Sequence, residues 1–294
     1  MMSGVTQRIV IPVRDYDLAA TLASGQAFRW REHASGWEGI IGQRWVWLTQ
    51  TDENLVAETV GLDGPHANPC WLSHYLQSET DLESVLRTFP DDEPMRAAVR
   101  ACRGLRLLHQ EPWECLASFI LSSTKQIVQI QQIVALLCQR LGEPVAAPAH
   151  REPWFSFPTS TRIARCTEAE LRDCKMGFRA PNLLRAARMI EAGEVDLARL
   201  GNLSVDEART ELLRLPGVGR KIANCVLLFA YGFQQAFPVD VWVMKALREL
   251  YFPRRRVSDK HIARFTATHF GPNAGYAQQY LFHYVRTKRP KTRK

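Results

Sequence analysis

The 294-residue chain has no apolar run as long as a membrane span, and its N-terminus shows no signal-peptide pattern. Its seven cysteines form no C-x-x-C pair and its eight histidines do not cluster, so neither residue type offers a zinc-binding pattern. Internal repeats and long low-complexity segments are also missing. These absences predict a soluble intracellular protein without a metal site, and the cysteine pattern suits a reducing compartment.

Negative charge is missing from the C-terminal end of the chain. The formal net charge is +8, and six basic residues stand in the acid-free stretch 286–294, which leaves about +2 (8 − 6) for the rest. These six are Arg286, Lys288, Arg289, Lys291, Arg293 and Lys294. We expect a basic tail that contacts phosphates, acts as a targeting signal or is a disordered end without a role.

Two kinds of hydrophobic pattern divide the chain. From Arg8 to about Val60, β-branched and aromatic residues alternate with polar ones between turn signals, which predicts an antiparallel sheet. After about Pro69 the apolar spacing becomes helical, with one helix expected over 167–177 and a proline-rich loop over 143–158. We therefore predict an α+β fold in which an antiparallel sheet domain precedes an α-helical body. The predicted segments are a sheet domain with a linking helix (1–95), a helical body (96–285) and a basic tail (286–294).

A helix-hairpin-helix pattern lies within the helical body. A capping box at 204–207 begins a helix that must end before Pro216. Gly217 and Gly219 permit positive φ and a tight turn, which opens into a second helix. Because uncovered amides at a helix start bind phosphate, the two glycines and the adjoining Arg220 are candidate phosphate contacts.

Lys221 stands in the first turn of that second helix, and two interpretations of it are open. The helix dipole opposes a cation there and favours the neutral amine, which is the form that a nucleophile needs. The alternative is one more phosphate contact. Cys225 follows four residues later on the same helical face. Asp240, nineteen positions after Lys221, precedes another apolar helical stripe and can be an N-cap, a partner of the amine, or both.

The sequence from Leu215 to Lys221, followed by the Pro-Val-Asp that ends at Asp240, resembles the helix-hairpin-helix, Gly/Pro-rich, aspartate (HhH-GPD) signature of DNA glycosylases. Over nearly its whole length, the chain resembles the 8-oxoguanine DNA glycosylase/AP lyase family. The supporting stretches are 24–30, 104–108, 112–116, 118–123, 177–180 and 275–282. No cysteine follows Cys225, which excludes the four-cysteine iron–sulfur loop found in other branches of the superfamily.

The resemblance implies a pocket for a base that is flipped out of the duplex. Phe282 and the sulfur of Cys225 would sandwich the base, and Gln278 would bond its Watson–Crick edge. The backbone carbonyl of Gly25 would meet N7, which carries a hydrogen in 8-oxoguanine and none in guanine. From the residues alone, a turn glycine, a solvated glutamine and a core phenylalanine would be preferred, and only the resemblance favours the pocket roles.

The resemblance also implies the chemistry. Lys221 would attack C1′ of the flipped nucleotide and form a Schiff base, and Asp240 would stabilise positive charge on the sugar and orient the amine. β-Elimination would then cut the strand, and no cofactor is required. The implied partner is duplex DNA containing a damaged purine, bound by a monomer in the bacterial cytoplasm or in a nucleus.

Contacts to the opposite strand follow the family only in part. Phe178 and Arg179 match an aromatic-arginine pair that fills the gap and reads the orphaned cytosine. Thr124-Lys125-Gln126 stands where the family carries an asparagine run, so these residues are candidate DNA contacts with an open preference for the opposite base. The last candidate contact is Trp242, which stands where family members often carry a histidine near the 5′ phosphate.

These features predict a bifunctional glycosylase/lyase, with two alternatives. An alkylpurine glycosylase of the same superfamily would keep Asp240 but would not need Lys221. A non-catalytic helix-hairpin-helix module would keep the hairpin for phosphate contact only.

Overall fold

The structure is a computed structural model that describes residues 6–60, 70–253 and 257–288. Its N-terminal part is a five-stranded antiparallel sheet with the order β1-β5-β4-β3-β2. The strands are β1 (Thr6–Pro12), β2 (Arg31–His33), β3 (Gly36–Ile41), β4 (Arg44–Gln50) and β5 (Asn54–Val60). Two-residue turns join β2 to β3 and β3 to β4, where Gly42 has a φ of +60°. The predicted antiparallel sheet is confirmed.

Both faces of the sheet are covered. Alternate residues of β1, such as Ile9 and Ile11, are buried against the first two helices, while Val10 between them is exposed. On the other face, Glu38 accepts hydrogen bonds from the indole nitrogens of Trp45 (2.7 Å) and Trp154 (3.3 Å). The sheet is thereby fastened to the segment around Trp154.

Helices make up most of the rest. The helices that precede the hairpin are α1 (Leu18–Ala23), α2 (Cys70–Leu76), α3 (Leu82–Leu86), α4 (Glu93–Cys102), α5 (Pro112–Leu121), α6 (Ile127–Leu141), α7 (Ser160–Ala164), α8 (Glu168–Leu171) and α9 (Ala180–Glu191). The hairpin and the C-terminal part contain α10 (Val205–Leu213), α11 (Arg220–Tyr231), α12 (Val241–Tyr251), α13 (Asp259–His269) and α14 (Ala274–Thr287). Within the described ranges, no helix is both long enough and apolar enough to cross a membrane.

Two local predictions differ from the structure. The loop over 143–158 contains a pair of two-residue strands, β6 (Pro144–Val145) and β7 (Trp154–Phe155). The single helix expected over 167–177 is wrong, because the regular helix ends at Leu171 and the chain kinks at Lys175, whose φ is +62°. Cys174 and Met176 are both fully buried. The positive φ of Lys175 turns the chain between these two buried residues, and a regular right-handed helix cannot continue through it.

Both boundaries predicted for the helical body, after residue 95 and before residue 286, fall inside helices of the structure. The predicted boundary after residue 95 falls inside α4, whose Met95 and Ala98 are buried in the helical core, so we assign all of α4 to the helical body. The tail predicted from 286 begins too early, because α14 continues to Thr287 and includes Arg286. The remaining tail residues, 289–294, lie outside the described residues.

Candidate active site

The predicted hairpin is present between α10 and α11. Ser204 and Glu207 form the capping box of α10, and Gly219 is the N-cap of α11. Only Gly217 uses positive φ (+79°), and a Cβ there would come within 2.9 Å of the Asn182 side chain. Gly219 has a φ of −95° and open space where its Cβ would lie. The hairpin therefore presents an uncovered helix N-terminus next to Arg220, which is exposed.

The amine of Lys221 is held by the C-terminal end of α5. Its Nζ donates to Ser122 Oγ at 3.1 Å and lies 5.0 Å from the centre of the Phe119 ring. The Ser122 hydroxyl donates its own hydrogen to the Phe119 carbonyl at 2.7 Å, so toward Lys221 it acts as an acceptor. An acceptor leaves the lone pair of a neutral amine free to attack.

Cys225 and Asp240 belong to the same site as Lys221. Cys225 lies one turn further along α11, and burial raises the pKa of its thiol to about 11, with Lys221 opposing the rise and Asp240 adding to it. The thiol is therefore protonated at neutral pH and is a wall of the site rather than a nucleophile. Asp240 caps α12 by accepting from the Val243 amide at 2.7 Å, which leaves its second oxygen available.

The turn after α1 meets α14. Gly25 has a φ of +78°, and a Cβ on it would lie 3.5 Å from Cε1 of Phe282 and 2.6 Å from Cδ1 of Ile127. Gln278, one turn before Phe282, is 3% exposed, and its buried Oε1 has no hydrogen-bond partner within the described part of the chain. The structure thus brings Gly25 and Phe282 together, and it places Gln278 on the same face of α14 with an acceptor to spare.

The turn that carries Gly25 is firmly anchored. The side-chain amide of Gln26 donates to the Arg106 carbonyl and accepts from the Leu108 amide, both at 2.8 Å. The Gln26 carbonyl accepts from the Gln110 side chain at 2.8 Å, and Gln279 donates to the neighbouring Ser24 carbonyl at 3.0 Å. This turn is therefore fixed on both sides of Gly25.

A long cavity of about 1160 Å³ begins beside Gly25 and runs along α6 toward Trp154. Neither Lys221 nor Asp240 lines it. The candidate reacting groups therefore lie around Ser122 and Cys225, outside the lining of this cavity.

The residues predicted to face the opposite strand form a second cluster. Phe178 is 62% exposed, whereas Arg179 is 3% exposed with its guanidinium 4.2 Å from the Phe178 ring. Arg179 donates to the Ser123 carbonyl and to Thr124 Oγ1, the latter at 2.6 Å. Thr124 has a φ of +58°. The segment from Ser122 to Thr124 thus contacts both Lys221, through Ser122, and Arg179, through Ser123 and Thr124.

The other candidate contacts lie at helix starts. Gln126 is the N-cap of α6, where its amide donates to Gln129 at 3.1 Å, and Lys125 before it is half-buried. Val241 and Trp242, at the start of α12, are 83% and 42% exposed. These side chains are therefore accessible beside Asp240 and at the start of α6.

Three residues of the site were not predicted from the sequence: Ser122, Phe119 and Arg286, the last of which was expected only as part of the basic tail. The link from Ser122 to Lys221 joins residues 99 positions apart and left no local signal. Arg286 did leave one, because it continues the spacing of Gln278 and Phe282 along α14, but its place in a basic stretch concealed it.

Comparison with known proteins agrees with this arrangement. Residues 8–116 match the family model of the 8-oxoguanine DNA glycosylase N-terminal domain, and residues 117–271 match that of HhH-GPD superfamily base excision DNA repair proteins. N-glycosylase/DNA lyase OGG1 of Arabidopsis thaliana is 30% identical over 282 residues, covering 90% of this chain and 76% of the relative. A probable N-glycosylase/DNA lyase of Methanothermobacter thermautotrophicus is 28% identical over 302 residues, covering 94% and 95%.

A solved structure extends the similarity to three dimensions. The 8-oxoguanine glycosylase/lyase of Clostridium acetobutylicum, in complex with DNA containing cytosine opposite 8-oxoguanine, superposes with a TM-score of 0.86 at 29% identity. The match covers 97% of this chain and 99% of that one. The chain therefore belongs to the HhH-GPD superfamily of base excision DNA repair proteins and, within it, to the 8-oxoguanine DNA glycosylase family.

Proposed function

We propose that the protein is a bifunctional DNA glycosylase and AP lyase that excises 8-oxoguanine and related oxidised purines from duplex DNA. The observation that carries this proposal is the placement of Lys221 on α11, where Ser122 Oγ accepts from its Nζ at 3.1 Å. The side chain of Asn224 on the same helix donates to the Phe237 carbonyl at 2.9 Å, which ties α11 to the segment that leads to the carboxylate of Asp240. Family membership supports it. The protein acts as a monomer on DNA, in a bacterial cytoplasm or in a nucleus.

The reaction begins with the neutral amine of Lys221. Its lone pair bonds to C1′ while the base leaves with the electrons of the glycosidic bond and takes up a proton. Loss of a proton from nitrogen and opening of the sugar ring give a Schiff base, which acidifies C2′. Removal of a C2′ proton then expels the 3′ phosphate. The free oxygen of Asp240 stabilises positive charge on the sugar, and Ser122 orients the amine.

The flipped base is held between Phe282 and Cys225. The unpartnered Oε1 of Gln278 accepts from the Watson–Crick edge, which removes the cost of an unpaired buried acceptor. The Gly25 carbonyl accepts from N7–H, and undamaged guanine leaves it unpaired. The cost of this unpaired acceptor makes guanine bind less favourably than 8-oxoguanine, so normal DNA is not excised.

On the opposite strand, Phe178 fills the gap in the stack, and Arg179 must leave Thr124 to reach the orphaned base. Lys125 and Gln126 contact the same strand, and Trp242 packs against the backbone beside the flipped nucleotide. Gly217, Gly219 and Arg220 bind phosphate at the start of α11.

The proposal is tested with duplexes carrying 8-oxoguanine opposite each of the four bases, and with undamaged guanine as control. Borohydride is added during the reaction. A covalent adduct on the 8-oxoguanine strand supports a lyase that uses an amine. Base release without an adduct would instead indicate an alkylpurine-type mechanism, and binding without release would indicate a DNA-binding module.

Removal of the Ser122 hydroxyl is expected to slow adduct formation without ending it. In Ser122→Ala the amine loses one acceptor, and a hydrogen bond of about 0.5–1.5 kcal/mol corresponds to roughly a 2- to 13-fold lower rate. The rate of borohydride trapping under single-turnover conditions measures the effect. Ser123→Ala is the matched control, since the Ser123 hydroxyl bonds the Ile120 carbonyl at 3.5 Å. Equal rates in both variants would refute the role of Ser122.

Gly25→Ala is expected to reduce excision of 8-oxoguanine by more than about 10-fold while cleavage of a preformed abasic site persists. The added methyl would lie 2.6 Å from Cδ1 of Ile127, which must move, and 3.5 Å from Cε1 of Phe282, so it would occupy space at the pocket. Gly193→Ala is the control for backbone strain, because Gly193 also has positive φ (+73°) but open space around its Cβ. A similar loss of excision in both variants would contradict a pocket role for Gly25.

A further inference from the structure

Arg286 lies on the wall of the proposed base pocket. It stands four residues after Phe282 and eight after Gln278, on the same face of α14. Its guanidinium carbon is 5.1 Å from the centre of the Phe282 ring. Its Nη1 is 3.2 Å from the position that a Cβ on Gly25 would take. The side chain therefore reaches the two residues that are proposed to hold the flipped purine.

Arg286 is half-buried, and one nitrogen of its guanidinium is enclosed by the protein. Nη1 is inaccessible to solvent and has no hydrogen-bond partner among the described residues. Burial lowers the pKa of Arg286, and the charge of Asp240 opposes that effect, so Asp240 is within electrostatic reach. Arginine keeps its charge in proteins, and a buried N–H without a partner is costly. An oxygen that enters the pocket would remove that cost.

The chemistry of the oxidised purine offers such an oxygen. In 8-oxoguanine, N7 carries a hydrogen and the adjacent C8 carries a carbonyl oxygen, whereas guanine has neither. The Gly25 carbonyl can accept from N7–H, and a donor beside Gly25 can therefore reach the oxygen on C8. A charged guanidinium is a strong donor to oxygen.

We propose that Arg286 reads the oxidised edge of the flipped base by donating a hydrogen bond from Nη1 to the C8 oxygen. This inference rests on the proposed excision of 8-oxoguanine. Together, Gly25 and Arg286 form an acceptor and donor pair that complements N7–H and C8=O. The same contact stabilises negative charge on the purine as its bond to C1′ breaks, so the effect falls on base excision and spares the later elimination.

Phosphate is the other oxygen source in the substrate, and two DNA substrates distinguish it from the base. One duplex carries 8-oxoguanine, and the other carries a preformed abasic site at the same position. Contact with the base affects only the first substrate, whereas contact with a phosphate affects both. Single-turnover rates are measured for the whole protein and for Arg286→Met, which keeps an unbranched side chain against Phe282 but removes the guanidinium.

The expected result is a loss of roughly 10- to 100-fold in the excision rate of 8-oxoguanine, with less than about a 3-fold change at the abasic site. Arg100→Met is the matched control, because Arg100 is exposed on α4 and pairs with Glu93 at 2.7 Å, a surface ion pair that contributes little. Its rates should stay near those of the unaltered protein. Abasic-site cleavage also reports whether each variant is folded.

Three outcomes would overturn the proposal. Equal losses on both substrates would assign Arg286 to a phosphate, and faster excision would show that the guanidinium only obstructs an empty pocket. An unchanged excision rate in Arg286→Met would show that Arg286 has no role in the reaction. Each of these differs from failure of the proposed function, in which the unaltered protein itself would not excise 8-oxoguanine.

Discussion

Lys221→Gln is expected to abolish the borohydride-trapped adduct and to lower 8-oxoguanine excision by at least about 10³-fold. The amide keeps a polar group near Ser122 Oγ but has no basic lone pair, so no bond to C1′ forms. Gel separation of protein–DNA adducts measures trapping, and single-turnover assays measure base release. Binding of the duplex should persist, because α11 and the hairpin are unchanged.

The control for this variant removes a lysine elsewhere in the helical body. Lys245 is exposed on α12 and lies 3.7 Å from Glu249, an ion pair that contributes little. Lys245→Gln should therefore form the borohydride-trapped adduct as efficiently as the unaltered protein. If Lys221→Gln still released the base at a normal rate, Lys221 would be restricted to the elimination step, and an activated water would have to displace the base.

Asp240→Asn is expected to reduce excision roughly 10²- to 10³-fold with little effect on stability. Asparagine is as good an N-cap as aspartate, so the bond to the Val243 amide at the start of α12 is retained. The change removes only the negative charge that the proposal places beside the developing positive charge on the sugar. Single-turnover excision and thermal unfolding separate the two effects.

A second N-cap provides the comparison. Asp81 caps α3 by accepting from the Ser84 amide at 3.2 Å and is exposed, so Asp81→Asn tests the same substitution away from the site. It should excise normally. Comparable losses in Asp81→Asn and Asp240→Asn, or a normal rate in Asp240→Asn, would contradict a catalytic charge at Asp240.

Much of the fold could be predicted because its signals are local. Alternating apolar residues marked the sheet, and the serine of the capping box at Ser204 marked the start of α10. The sequence also located the helix starts at which the candidate nucleophile Lys221 and its candidate partner Asp240 stand, since each follows a local turn.

What could not be predicted depends on packing between distant segments. The kink at Lys175 left no local signal, because nothing in the apolar spacing marks the residue between the buried Cys174 and Met176 as one with positive φ. Arg179 was expected to face DNA, and in the structure it is buried against Ser123 and Thr124, where acceptors 56 and 55 positions away bind its Nη2. Such partners are fixed by tertiary structure alone.

The anchored turn around Gly25 bears on how the proposed pocket would reject normal bases. A carbonyl held between the bonds of Gln26 and Gln279 loses little conformational entropy when the oxidised base arrives. The same carbonyl cannot rotate toward another donor when undamaged guanine enters. In the proposed pocket, a rigid turn would therefore keep the full free-energy cost of leaving the Gly25 carbonyl unpaired when guanine enters. Discrimination would then need no conformational change of this turn.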